Sequence, residues 1–395
     1  MEVFEPSSLA GVKLKNRIFR SATHEGVGQS RGFRLDELKD RYVRLAQGGV
    51  GAIITGYTGV CRSGKAWPNM LMIDDDDAIP DFSQITAALK PYGTPLFLQL
   101  AHGGGRTDPT VTGSPTKAPS KHHYKGAVSP AAQLTETDIR AIILNFAQAV
   151  DRARRSGFDG VQLHAAHGYL LSAFLSPRLN TRSDRWGGST ENRFRMIREI
   201  ITLARETVGS YPIMVKFSAY DFERNGLRLE EAVRLATLFQ EASFDAIEIS
   251  CGNEDWFSAI RTPQIPVDAI LAFEPTLKEA SWLKRRLASL LIPHLFKTHR
   301  ETENYNIEAA AIIKAHIDIP VIVVGGIRNL STISDIIGRQ KADYVSLCRP
   351  FILEPDLVDK LKTGRQEASR CLNCNYCLLG VTANPLRCYY GRIPE

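Results

Sequence analysis

Eight short apolar runs rich in β-branched residues recur along this chain, most of them separated by segments of helical periodicity. They are Arg17–Ser21, Ala52–Thr55, Leu96–Leu100, Val161–His164, Ile213–Phe217, Ala246–Ile249, Val321–Val324 and Tyr344–Leu347. Strands that alternate with helices pair in parallel, because each crossover must carry the chain back before the next strand begins. Eight such units imply a closed (β/α)8 TIM barrel, an α/β fold that commonly runs past about 250 residues as one domain. The segment Thr135–Ser156 shows the helical half of one unit. Ile139, Ile142, Ile143, Phe146, Val150 and Ala153 fall on one stripe, Thr135 can cap it and Asp138 suits its first turn. Gly157-Phe-Asp-Gly160 then ends the helix and turns into the fourth strand.

The 395 residues are 44% apolar and 23% charged, ordinary for a globular protein with a sizeable core. The net charge of +6 comes from basic residues dispersed among acidic ones, so nucleic acid is not an expected partner. The chain opens Met1-Glu-Val-Phe-Glu-Pro, without a basic and then apolar leader, and no apolar run approaches the roughly 20 residues needed to span a bilayer. The cytoplasm is therefore the expected compartment, with no membrane partner. Seven cysteines are unevenly spread, four of them in the tail, and a reducing compartment favours reading those as ligands over disulfides.

Two connections exceed what a minimal barrel needs. Thr107 to Leu134 is rich in Pro, Gly, Lys and His, and Cys251 to Tyr305 carries several prolines and an amphipathic piece near Ala280–Leu291. Loops after barrel strands form the catalytic face, so both are expected to wall the site. The run Asp74–Asp77 lacks matching ligands nearby and reads as solvated acids before a helix rather than a metal site.

The fourth strand ends in Val161-Gln-Leu-His-Ala-Ala-His-Gly-Tyr-Leu-Leu171, which brings two imidazoles and a phenol to one loop. Two hydrogen-bond donors and a proton donor suit a site that polarises a carbonyl. His164 and His167 could also be metal ligands, but a metal site normally needs a third protein ligand, and no Glu or Cys lies at suggestive spacing. Gly325-Gly326 follows an apolar strand and lets backbone N–H groups approach a phosphate closely. Arg349, after the eighth strand, can pair with the same phosphate.

From about Phe4 to Arg349 the chain resembles the old yellow enzyme family of flavin oxidoreductases. The resemblance rests on Leu14-Lys-Asn-Arg-Ile18, Gln99-Leu-Ala-His102 with Gly105-Arg106, His164-Ala-Ala-His-Gly-Tyr-Leu170 and Phe174-Leu-Ser-Pro177. It continues in Arg182-Ser-Asp-Arg-Trp-Gly-Gly188, Glu191-Asn-Arg193, Gly325-Gly-Ile327 and Arg349-Pro350. It implies FMN held noncovalently at the C-terminal ends of the strands, with Ser21, Ala22, Thr23 and His24 along the flavin and Gly56 a small residue beside the ring. Gln99 would read the pyrimidine edge, His164 would border the flavin, and Lys216 would stand where relatives carry arginine. Gly325, Gly326, Cys348 and Arg349 would surround the phosphate.

The same resemblance implies that His164 and His167 bind a substrate carbonyl and that Tyr169 is the proton donor. His24 takes a position near the flavin C4 oxygen where relatives use threonine or cysteine. A histidine there can donate a hydrogen bond and titrate near neutrality, which would make flavin reactivity depend on pH. No glycine-rich dinucleotide fingerprint follows any strand, so NAD(P)H, if used, must stack transiently on the flavin.

Residues 1–365 read as the FMN-binding barrel and 366–395 as a cysteine-rich tail. Cys371, Cys374, Cys377 and Cys388 suit a [4Fe–4S] cluster, a zinc site or free thiols. The tail also resembles the cluster-binding segment of the 2,4-dienoyl-CoA reductase and trimethylamine dehydrogenase branch. The expected activity is reduction of an activated C=C bond in a small electrophilic alkene with electrons from NAD(P)H. The alternatives are an FMN and iron–sulfur dehydrogenase or demethylase served by an external electron-transfer protein, and a flavin electron-transfer subunit without its own organic substrate. A homo-oligomer is expected.

Overall fold

The computed structural model describes residues 2–29, 33–125, 127, 129–253, 260–296, 301–382 and 384–393. Eight parallel strands close on themselves: β1 (Ile18–Arg20), β2 (Ala52–Ile54), β3 (Leu96–Ala101), β4 (Gly160–Ala165), β5 (Ile213–Ser218), β6 (Ala246–Ser250), β7 (Val321–Val324) and β8 (Tyr344–Leu347). Each pairs with the next, and β8 returns to β1, with Val345 opposite Ile18 and Leu347 opposite Arg20. The sequence pattern placed all eight, to within a residue at most ends. The stripe at 135–156 is the helix Glu136–Arg155, which Thr135 and Asp138 close with a reciprocal capping box.

The barrel interior is layered. An antiparallel hairpin, Ser7–Leu9 with Val12–Leu14, plugs the N-terminal mouth. Its Leu9 and Leu14 pack on the inward side chains Phe19, Ala52, Ile54, Phe97, Met214, Ala246, Ile322 and Tyr344. That apolar layer seals the bottom and leaves chemistry to the other end.

The next layer is polar and almost wholly enclosed. Gln99 Nε2 donates to Gln162 Oε1 at 2.7 Å, and Gln162 Nε2 donates to Glu248 Oε2 at 2.8 Å. Ser21 and Ser346 donate to Glu248 Oε1, and Lys216 Nζ donates to Ser21 Oγ at 2.9 Å while lying 3.5 Å from the same carboxylate oxygen. A buried carboxylate is tolerable only when paired and hydrogen-bonded, and Glu248 is both.

Asp75 caps its own turn, and Asp76 pairs with Arg152 and Arg155 on the helix Glu136–Arg155. The aspartate run thus ties a loop to a helix. Among the described residues no helix is long and apolar enough to cross a membrane.

Candidate active site

The loop after β4 is shaped by backbone as much as by side chains. His167 adopts a left-handed conformation with φ 61°, followed by Gly168 at φ 73°. A β-carbon on Gly168 would lie 2.6 Å from Asn253 Oδ1, so the position admits only glycine. Arg106 Nη1 donates to the carbonyls of His167 and Asn253 at 2.8 and 3.0 Å and holds the strained turn.

This turn gathers its three reactive side chains. The His164 ring lies 5.2 Å from that of His167 and 4.9 Å from that of Tyr169. Tyr57 joins them at 5.5 Å from Tyr169. Burial, reinforced by the positive charge of Lys216 and Arg106, pushes His164 down to about 3. Burial and the neighbouring His164 hold His167 well below the usual imidazole range. Both are neutral near pH 7, and the buried His164 Nδ1 has no hydrogen-bond partner among the described residues. His167 Nε2 lies 2.7 Å from Ser250 Oγ.

The three side chains line one wall of a cavity of about 160 Å³, with Ala22, Thr23, His24 and Gln99 around it. A second cavity continues along Ser21, Gly325, Gly326, Ser346 and Pro350, and the two share Ala22, His167, Lys216, Ile260, Cys348 and Arg349. Together they form one trough across the C-terminal mouth. Gly325 and Gly326 have φ 151° and 69°, and a β-carbon on Gly326 would sit 2.3 Å from the Thr302 carbonyl oxygen. The segment from Thr302 to Asn306 therefore presses on the pair, which only glycine permits.

Of the sequence-predicted flavin contacts, Ser21, Ala22, Thr23, His24, Gln99, His164, Lys216, Gly325, Gly326, Cys348 and Arg349 all border this trough. Gly56 does not. Its N–H donates to Glu25 Oε1 at 3.2 Å, and a β-carbon there would strike the Thr23 carbonyl, so it supports the 23–25 segment from behind.

The titration expected of His24 is also corrected. Burial pushes its imidazole down to about 4. Asn69 Nδ2 donates to the Val381 carbonyl at 3.2 Å, which turns Oδ1 toward His24 Nε2 at 3.0 Å. The single proton of the neutral ring is then on Nε2 and engaged with Asn69, leaving Nδ1 an acceptor.

The described residues of the loop 107–134 contribute nothing to the trough, whereas Ile260 and Tyr305 from the 251–305 connection do. Sequence reasoning missed Tyr57 and Trp67, an aromatic wall whose separation from the motifs gives no periodic signal. It also missed the tail as a wall: Cys377, Leu378, Val381, Thr382 and Leu386 line the main cavity.

Arg349 Nη1 donates to the carbonyls of Arg261 and Asn373 and to Asn375 Oδ1, which clamps tail to barrel. Cys371, Cys374, Cys377 and Cys388 line a third cavity that shares Cys377 and Arg349 with the trough. Among the described residues no three metal-ligating side chains converge closely enough to hold an ion. Burial raises the Cys371, Cys374 and Cys377 thiols, so without a metal they stay protonated near neutral pH.

A parallel barrel with a glycine pair and an arginine at one end of a trough, and neutral imidazoles with a phenol at the other, defines a flavin-dependent type of oxidoreductase. The chain belongs to the NADH:flavin oxidoreductase / NADH oxidase family, which matches residues 2–265 and 267–368.

It is 34% identical over 382 residues to an NADH oxidase of Thermoanaerobacter brockii, covering 96% of this chain and 53% of that protein. It is 36% identical over 258 residues to an NADPH dehydrogenase of Bacillus licheniformis, covering 64% of this chain and 73% of that one. The fold matches the old yellow enzyme homologue of Zymomonas mobilis with a TM-score of 0.74 at 21% identity, covering 98% of this chain and 100% of that structure. The chain thus spans about half the length of the Thermoanaerobacter relative.

Proposed function

We propose that this protein is an FMN-dependent oxidoreductase that reduces electron-poor C=C bonds conjugated to a carbonyl, with NAD(P)H as the electron donor. The observation that carries this reading is the pair of enclosed, neutral imidazoles clustered with Tyr169 on one wall of the trough. Gly325, Gly326 and Arg349 would hold the phosphate. Gln99, with one amide N–H and its carbonyl oxygen still available, and Lys216 would hold the ring end. When bound, FMN supplies the hydride that this chain's side chains cannot.

The protein's own part is placement and protons. With Ser250 Oγ, 2.7 Å away, donating to His167 Nε2, that ring's proton would stand on Nδ1. N–H groups of His167 and His164 then bind the substrate carbonyl oxygen, where negative charge develops. Loss of one such donor costs about 3 to 4 kcal/mol in the transition state. Tyr169 Oη gives its proton to the carbon α to that carbonyl, and Tyr57 and Trp67 cover the cavity and exclude water.

The test separates the half-reactions. Tyr169→Phe should bind FMN normally and accept electrons from NADPH normally, yet reduce 2-cyclohexenone roughly a hundredfold or more slowly. Equal loss of both half-reactions would remove Tyr169 from this role.

A second reading has the same trough fed by an iron–sulfur cluster and an external electron-transfer protein. Its support is the cavity lined by Cys371, Cys374, Cys377 and Cys388, whose wall Cys377 and Arg349 share with the trough. Iron and acid-labile sulfide in anaerobically purified protein would establish it, and zinc without sulfide would replace it by a structural metal.

A further inference from the structure

The helix Trp282–Leu295 has no counterpart in the chemistry above. Its inward side is fixed by Ile292, which is buried, and by Arg285, whose Nη1 donates to the Leu271 and Leu277 carbonyls at 2.9 Å. Much of the rest of the helix is bare. Trp282, Leu283, Leu287, Leu290, Leu291 and Leu295 are each 50–72% exposed, a concentration of apolar side chains that the rest of the described surface does not repeat. At about 100° per residue, Leu283, Leu287, Leu290 and Leu291 share one sector roughly 100° wide that faces away from Arg285 and Ile292. Lys284 falls on one edge of that sector and Arg286 on the other. The segment Trp282–Leu295 contains no acidic residue.

We propose that this helix is a peripheral lipid anchor, its leucines set into the interfacial layer of an anionic membrane with Lys284 and Arg286 at the level of the headgroups. Charge selects this occupant. Two copies of the helix laid together would bring cations against cations, since Trp282–Leu295 carries no carboxylate of its own. A leucine sector with cations along both edges matches a helix lying in a bilayer surface.

The surface is separate from the trough but linked to it. The helix packs on Val267–Phe273, which packs in turn on the tail helix Tyr376–Gly380 through Ala269, Phe273, Tyr376 and Leu379. A short helix lying on a membrane is compatible with the absence of a spanning one among the described residues.

Flotation of the full chain with vesicles tests the proposal. The chain should float with equimolar phosphatidylcholine and phosphatidylglycerol and much less with phosphatidylcholine alone. Lys284→Gln with Arg286→Gln should weaken partitioning roughly thirtyfold, equivalent to about 1 kcal/mol per cation. Leu287→Ser with Leu291→Ser should weaken it at least about tenfold. The substituted side chains are exposed, so thermal unfolding of both variants should match that of the parent. A blue shift of tryptophan emission on the mixed vesicles, lost in Trp282→Phe, would place this helix at the contact.

Failure to float with the anionic vesicles overturns the proposal, as does binding equally strong on neutral lipid. A dimer in solution that Leu287→Ser with Leu291→Ser dissociates, with no vesicle binding, would assign the face to a second copy instead.

Discussion

His24, His102, His164 and His167 are enclosed at the mouth of the barrel, and burial lowers each imidazole, the first two to about 4 and His164 to about 3. Their value in the unfolded chain is near 6.5, so the depressed folded value favours folding above that pH and loses its contribution as pH falls. Each histidine then costs about 1.4 kcal/mol per pH unit between the unfolded and folded values. The FMN-free protein should show a thermal midpoint that drops from about pH 7 to about pH 5, and His24→Asn combined with His102→Asn should flatten the slope. A flat profile in the parent protein would show that these rings are solvated.

The glycines are equally specific. Gly326→Ala should destabilise by about 1 to 3 kcal/mol in urea denaturation and weaken FMN binding, because both φ and the Thr302 carbonyl oppose a β-carbon. Gly188→Ala, at φ 81° with nothing nearby, isolates the backbone part at about 1 kcal/mol. The identities of these residues were legible from local motifs, since a loop following a strand places them. The protonation of His24 was not, because Asn69 and Val381 lie far from it in sequence.

Among elements, the strands and the helix Glu136–Arg155 follow directly from periodicity and capping. The polar layer inside the barrel was less visible. Gln162 and Glu248 sit among apolar neighbours in their strands, and only closure of the barrel shows that they form one chain of hydrogen bonds with Gln99, Ser21, Lys216 and Ser346. Glu248→Leu should lower stability by about 3 to 5 kcal/mol, because it leaves Lys216 buried without its carboxylate, and Glu248→Leu with Lys216→Met should recover much of that loss in the same denaturation measurement. The two long connections were expected to share a role and differ. The described residues of loop 107–134 contribute nothing to the trough, whereas 251–305 lends it Ile260 and Tyr305 and then carries a helix with its leucines exposed. An amphipathic pattern reports that one face is apolar, not which neighbour covers it.

For the molecule as a whole, the tail is the element that completes the site. Ending the chain after Arg370 should remove the wall at Cys377, Leu378 and Val381 and release Arg349 from Asn373 and Asn375. FMN affinity should fall about tenfold or more by fluorescence titration, with the barrel's circular dichroism retained. Undiminished affinity would mean that the barrel alone positions Arg349. The sequence by itself determined the barrel, the order of its strands and the chemical types at its mouth, because period and turn residues act over a few neighbours. Only the tertiary structure decided which imidazoles stay neutral, that Gly56 stands behind the site, and that the tail closes it. Those outcomes depend on burial and on contacts between residues tens to hundreds of positions apart, and no local pattern encodes either.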